Sequence, residues 1–182
     1  MDKPAPPEAN SQVQLAPGCV VCTEAVLQGE ITLGAGTVVH PRAHIIAEAG
    51  PIIIGENNLI EENAHIINRQ KPSTDGKPFT LHVGNANVFE IGSRCEASRI
   101  GDNNIIETMA VVGRDVEVTD GCVVGAMCGV YAQEILLERT IIYGEQCLRR
   151  RSAERPAVQH SQLDYLRKVL PNYHYLMPTK KP

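Results

Sequence analysis

Large aliphatic residues return every six positions along most of this chain. Leu15, Val21, Leu27, Leu33, Val39 and Ile45 hold one run, and Ile100, Ile106, Val112, Val118, Val124 and Val130 hold a second. With 43% apolar residues, twelve hits in a fixed register would arise by chance about once in 25,000 trials. Four residues after many of these positions stands a compact side chain: Cys19, Ala25, Thr37, Ala43, Ala49, Ala64, Ala110, Cys122 or Cys128. Glycine often follows directly, as at Gly34, Gly55, Gly84, Gly101, Gly113 and Gly125. A period of six does not fit an amphipathic helix, whose pattern recurs every 3.6 residues; it suits short strands joined by corners. At such corners glycine is expected to supply backbone angles that other residues resist.

The pattern resembles the hexapeptide repeat of the left-handed parallel β-helix, in which three hexads close one triangular coil. The expected fold is all-β, a left-handed parallel β-helix of about 6–7 coils followed by a C-terminal α-helix. Handedness here follows from the resemblance, because crossover sterics alone favour right-handed connections. The predicted plan is a flexible N-terminal tail over 1–12, the β-helix over 13–147 with a protruding loop at 69–80, and a linker, amphipathic helix and tail over 148–182. Asn58, Asn87 and Asn104 fall on the small inward position at intervals of 29 and 17 residues, the first interval containing the loop. They are expected to stack as a corner ladder that satisfies backbone groups.

Two stretches break the period. The insert "RQKPSTDGKPF" reads as a loop, either surface decoration or a partner contact or lid, with Arg69, Lys71, Asp75, Lys77 and Phe79 as candidate contacts. After Cys147, "LRRRSAERP" reads as a charged linker in which Arg149, Arg150 and Arg151 form a solvated corner. Leu163, Leu166 and Leu170 then recur at helical spacing. Ser161 and Asp164 stand as a capping box and Pro171 as the stop, which predicts a helix of about ten residues packed back on a wall of its own prism.

Charge and cysteine content narrow the function classes. Seventeen basic against 21 acidic residues leave a net charge of -4, the wrong sign for a polyanion-binding surface, so no nucleic-acid partner is expected. No apolar run reaches the ~18 residues of a membrane span, and "MDKPAPPEANSQ" lacks the core of a signal peptide, so a soluble intracellular protein without membrane insertion is expected. Cys19 and Cys22 form a lone C-x-x-C with no second pair, and the six cysteines read as free thiols.

Hexapeptide β-helices include acyltransferases, zinc-dependent carbonic-anhydrase-like enzymes and non-catalytic scaffolds, so fold alone does not settle function. The chain has six histidines, His40, His44, His65, His82, His160 and His174. Similarity to the γ-class carbonic anhydrases runs across "VGNANVFEIGSRCEA". It places the three ligand positions on Asn68, Ile91 and Glu96, which implies a lost zinc site, since isoleucine cannot ligate. His65 and His82 flank the insert as candidates for a different site. An acyltransferase would need a histidine base in a subunit cleft. No cofactor or metal is expected.

The stretches "IIAEAGPIIIGENNLIEE", "NNIIETMAVVGR", "IIYGEQCLRR" and above all "ERP...QLDYLRKVLPNYHYL" resemble the dynactin subunit 6 family over nearly the whole chain. The resemblance implies a non-catalytic structural subunit of the dynactin pointed-end complex. Its neighbours would be dynactin subunit 5, itself a β-helix, subunit 4 and the actin-related pointed-end protein. Dynein adaptors would be met through the assembled complex. A cytoplasmic, cytoskeletal location follows, with centrosome and kinetochore by the same resemblance. The proline-directed threonine of some relatives has no counterpart in this tail, "MPTKKP".

Overall fold

Strands of two to four residues stack into three walls in the computed structural model, which describes residues 12–72 and 76–179. The first wall holds Gln12–Leu15, Glu30–Leu33, Ile52–Ile54, Leu81–Val83, Arg99–Ile100, Val116–Val118 and Glu134–Leu136. The second holds Val20–Val21, Val38–Val39, Leu59–Ile60, Val88–Phe89, Ile105–Ile106, Val123–Val124 and Thr140–Tyr143, followed by Leu148–Arg151. The third holds Val26–Gln28, His44–Ala47, His65–Asn68, Arg94–Cys95, Val111–Val112 and Gly129–Val130. The chain visits the walls in rotation, so strand neighbours lie one turn apart and pair in parallel. The result is a hexapeptide-repeat β-helix of about seven turns, the seventh ending after two sides.

The six-residue period becomes three inward columns. Leu15, Leu33, Ile54, Val83, Ile100, Val118 and Leu136 stack beneath the first wall, and Val21, Val39, Ile60, Phe89, Ile106, Val124 and Ile142 beneath the second. Leu27, Ile45, Ile66, Cys95, Val112 and Val130 complete the third, and all belong to one core. Each fully buried large aliphatic contributes on the order of 1.5–3 kcal/mol, so the repeat is also the main source of stability. Ala49 departs from its expected inward place and is only half-buried. The chain makes an excursion between the strands ending at Ala47 and starting at Ile52, which stretches that turn.

The recurrent glycines owe their place to close packing. Gly34, Gly55, Gly84, Gly101, Gly113 and Gly125 do not have the positive φ expected of them. A Cβ on Gly101 would lie 2.7 Å from the carbonyl oxygen of Thr119 in the next turn, and one on Gly84 2.6 Å from that of Gly101. Both distances are far inside van der Waals contact. The left-handed angles fall two residues further on and are carried largely by other residue types: Asn57 (φ 54), Ala86 (φ 54) and Asn103 (φ 55). Asparagine tolerates that region better than most residues.

Buried polar side chains run up the corner between the first and second walls. The Asn87 backbone N–H donates to Asn58 Oδ1 at 2.9 Å, that of Asn104 to Asn87 Oδ1 at 2.8 Å, and that of Cys122 to Asn104 Oδ1 at 2.7 Å. Their Nδ2 groups reach into the same following turn, Asn58 to the Gly84 carbonyl and Asn87 to the Gly101 carbonyl, both at 2.9 Å. Thr37 begins the series, its Oγ1 accepting from the Asn58 N–H at 3.3 Å and donating to the Gly55 carbonyl at 3.0 Å. All four polar residues are buried to within 1%, and the four bonds they accept from backbone N–H groups are made where water cannot substitute.

Three corrections concern the C-terminal region. Leu148–Arg151 is a strand that pairs antiparallel with Thr140–Tyr143, where a solvated corner was expected. The helix, α1, spans His160–Tyr173, fourteen residues, and contains Pro171. Pro171 has no N–H to give to the Arg167 carbonyl, and α1 runs only two residues beyond it, the His174 N–H bonding to Leu170 O. Its N-cap is Gln159 without a side-chain cap bond, so Ser161 and Asp164 make no capping box. Residues 1–11 of the expected tail and Asp75 lie outside the described residues, and Gln12 already belongs to the first strand.

Truncating the ladder tests this account. Asn87→Ala strands the Asn104 N–H and the Gly101 carbonyl in the interior, at about 1–3 kcal/mol for each buried unsatisfied group. Urea unfolding is expected to show a loss of about 2–6 kcal/mol. Asn85→Ala, whose side chain accepts from Glu56 N–H on the exposed side, should cost less than about 1 kcal/mol.

Candidate functional site: one covered wall, two open ones

The outer face of the second wall is apolar, and the C-terminal extension covers it. Val20, Cys22, Val38, Leu59 and Val88 form a second cluster with Leu163 and Leu170 of α1, joined by Leu166, Ile105 and Leu176. The three leucines read as a helical stripe thus meet their own prism. Polar contacts trace the extension back down the wall. Asn103 Nδ2 donates to the Pro156 carbonyl at 2.8 Å, and Arg167 reaches the Gly36 carbonyl through Nε at 3.0 Å and Asn57 Oδ1 through Nη2 at 2.7 Å. Beyond the helix the tail meets the first turn. Thr23 N–H donates to the Tyr175 carbonyl and Met177 N–H to the Val21 carbonyl, both at 2.8 Å, with Cys22 and Leu176 in an antiparallel bridge. His174 Nδ1 lies 3.2 Å from Glu24 Oε1. The second wall is therefore capped at both ends, by Leu148–Arg151 on the last turn and by Tyr175–Met177 on the first. Arg167 and the tail strand were missed from sequence, since neither belongs to a repeat.

Among the described residues, no helix or tail covers the first and third walls. Outward positions of the first wall read Thr32, Ile53, His82, Arg99, Glu117 and Ile135 up successive turns. On the third wall the His44 and His65 rings stack at 4.5 Å and 7° between planes, with Arg94 the next in register. Burial, then the charges of His44 and Arg94, push His65 below the usual histidine range. His65 and His82, the pair flanking the insert, sit on different walls and do not converge. His40 is buried at the rim of the second wall, with Nδ1 3.0 Å from Glu62 Oε1. That contact is close but misaligned for the ring N–H, because neither ring nitrogen has a hydrogen-bond partner.

The three positions expected to be lost zinc ligands have other occupations. Asn68 is fully buried and its Nδ2 serves the carbonyls of Gly50 at 2.9 Å, Pro51 at 3.1 Å and Phe79 at 2.7 Å, fixing the base of the insert. Glu96 binds Arg94 Nη2 at 2.5 Å and Arg69 at 3.5 Å. Ile91 is 47% exposed on the far rim of the third wall. Of the candidate loop contacts, Arg69 also pairs with Glu48 at 2.6 Å, Lys71 and Lys77 are exposed, and Phe79 is half-buried. Gln70 fastens the loop to the carbonyls of Glu96 and Arg114 at 3.0 and 2.6 Å.

All six cysteines are free. Cys19 and Cys22 point to opposite sides of the second wall, one into the prism and one under the tail, so the C-x-x-C is not a chelating pair by itself. Burial, then Glu24 and Glu62, push the Cys22 thiol up to about 12, and burial does the same to Cys95.

The chain is 52% identical to "Dynactin subunit 6" of Danio rerio over 99% of its own length and 95% of that protein's. It is 51% identical to the protein of that name from Nematostella vectensis over 93% and 95%. The chain belongs to the dynactin subunit 6 family. Among solved structures, a hexapeptide transferase family protein from Anaplasma phagocytophilum superposes with a TM-score of 0.55 at 15% identity, covering 90% of this chain and 94% of that one. That likeness concerns the fold alone. No protein-family model matches the sequence.

Two measurements test the site. Leu163→Ala removes a side chain that is 1% exposed, and the typical loss of about 2–5 kcal/mol falls on docking of α1. Proteolysis within 152–159 should accelerate by at least ~10-fold, while the β-helix melts almost unchanged. The lowered His65 value means that the unfolded chain binds the proton more readily than the fold, so stability falls as pH drops below 6.5. His65→Gln should flatten that part of the stability profile in pH-resolved urea titrations.

Proposed function

We propose that the chain is a non-catalytic structural subunit of dynactin, seated in the pointed-end complex beside dynactin subunit 5, subunit 4 and the actin-related pointed-end protein. In that place it supports the engagement of adaptors and cargo by dynein and dynactin in the cytoplasm. Family membership supplies the identity of the complex. One observation carries the association role: the last two turns expose Met127, Tyr131, Ile135, Leu137, Tyr143 and Leu148, just where the first and third walls end in open strands. A shallow groove of about 370 Å³ lies there, lined by Glu134–Leu137, Thr140 and Arg149–Arg151. Open strand edges flanked by apolar side chains suit a protein partner. The non-catalytic reading is supported by Asn68, Ile91 and Glu96 at the enzyme ligand positions.

Affinity capture of the tagged chain from cytosol is the deciding experiment. Recovery of dynactin components in stoichiometric amounts is expected, and their absence would overturn the assignment. Ile135→Asp with Leu137→Asp places two charges on the exposed end, and at least a ~10-fold drop in recovered complex is expected with the fold intact by circular dichroism.

A further inference from the structure

Tail and first turn bring together three metal-ligating side chains that the proposed function does not use. Cys22 Sγ, a Glu24 carboxylate oxygen and a His174 ring nitrogen lie within 4.8 Å of one another. Around a four-coordinate zinc ion, with bonds of ~2.0–2.3 Å, ligand atoms stand roughly 3.2–3.8 Å apart, so side-chain adjustment alone closes the set. The backbone holds the three in place independently of any ion, through the Thr23–Tyr175 and Met177–Val21 bonds on either side of the Cys22–Leu176 bridge.

The chemistry of the donors selects the ion. Thiolate, imidazole and carboxylate together suit zinc-class divalent cations, whereas magnesium and calcium favour oxygen alone. Access is available from one side: Cys22 is fully buried, while the side chains of Glu24 and His174 are 41% and 31% exposed. A second observation points to the same place. His40 follows Cys22 in register one turn up, as Val21 pairs with Val39, and its Nε2 is buried without a hydrogen-bond partner. A buried imidazole nitrogen without a partner is costly, although His40 is not among the three residues whose ligand atoms lie within 4.8 Å of one another.

We propose that Cys22, Glu24 and His174 bind one zinc-class cation per chain, which staples the C-terminal tail to the first turn of the β-helix. The site lies within a single chain and is structural. It stands whether or not the chain docks in a larger complex.

The test uses the full chain, stripped with a chelator and titrated with Co²⁺ and then Zn²⁺. One ion per chain is expected, with a thiolate-to-cobalt charge-transfer band in the near ultraviolet that Cys22→Ser abolishes. Zinc affinity should fall by at least ~100-fold in Cys22→Ser and ~10-fold in each of Glu24→Gln and His174→Ala. The last two substitutions are at accessible positions and should leave the circular dichroism spectrum unchanged. Cys147→Ser, at the opposite end, should bind as the parent does. Zinc should also slow proteolysis of the tail in the parent but not in His174→Ala. Absence of binding, cobalt bound without a thiolate band, a band that survives Cys22→Ser, or unchanged affinity in both Glu24→Gln and His174→Ala would each overturn the proposal. The last result would leave the Glu24–His174 contact as a simple hydrogen bond.

Discussion

Stacking turns at strand spacing forces corner backbone into the interior, and the fold depends on satisfying it there. A strand in a flat sheet pairs along its length, but a corner turns its N–H and C=O groups away from the ladder. Here one side chain per turn reaches into the turn that follows, accepting an N–H there and, at Thr37, Asn58 and Asn87, donating to a carbonyl of the same corner. Thr37, Asn58, Asn87 and Asn104 form that relay, Asn104 Nδ2 closing on Asn87 Oδ1 at 3.0 Å, while Cys19 and Cys122 supply only the donating half, their thiols reaching Gly34 O at 3.0 Å and Leu137 O at 3.3 Å. The repeated "IG-x-N-N" phrase is the sequence form of this constraint. Glycine lets the corners approach, the first asparagine adopts the left-handed angle in "ENN" and "DNN", and the second enters the interior to carry the bond.

A solenoid built this way has ends, and ends expose strands. Among the described residues the chain solves this for one wall only. After the seventh turn it folds back as Leu148–Arg151, held partly by the Arg149–Glu134 ion pair, and then runs the whole length of the second wall to cap the first turn. The cover is apolar at α1 and polar at Arg167, so burial and direction are set by different residues. An apolar stripe alone would allow α1 to slide by a turn. Arg167 bonding to Gly36 and Asn57 fixes one position, because the guanidinium fork needs both acceptors at once.

Legibility in the sequence followed periodicity. The inward columns, the number of turns and the packing of Leu163 and Leu170 rest on spacing that one chain displays many times. The asparagines were placed by the same period. What escaped was written once: the strand at Leu148–Arg151 looks like a charge run, because both of its faces are exposed and only backbone bonding defines it. The glycines were located but given the wrong physics, since sequence does not separate a residue needing an unusual φ from one needing room for a neighbouring carbonyl. Asn68 illustrates the limit at the candidate site. Alignment with enzymes marked it as a vanished ligand, and its actual work is to gather three carbonyls where two excursions leave the helix.

A covered second wall restricts how any partner can approach. Contacts must come through the first wall, the third wall or the last turn, and these differ in chemistry. The first wall sets Ile53 and Ile135 on either side of His82, Arg99 and Glu117, the third carries stacked imidazoles beside Arg94, and the last turn concentrates exposed large apolar residues. An unpaired edge flanked by such residues is an aggregation hazard in a free monomer, and a natural chain retains it where something else completes it. The opposite end is finished by the chain's own tail on the second wall, with Cys22 beneath it and Tyr173 and Tyr175 of the tail exposed. The two ends therefore differ in chemistry: the chain's own tail covers the second wall at the first turn, and exposed apolar side chains gather at the last.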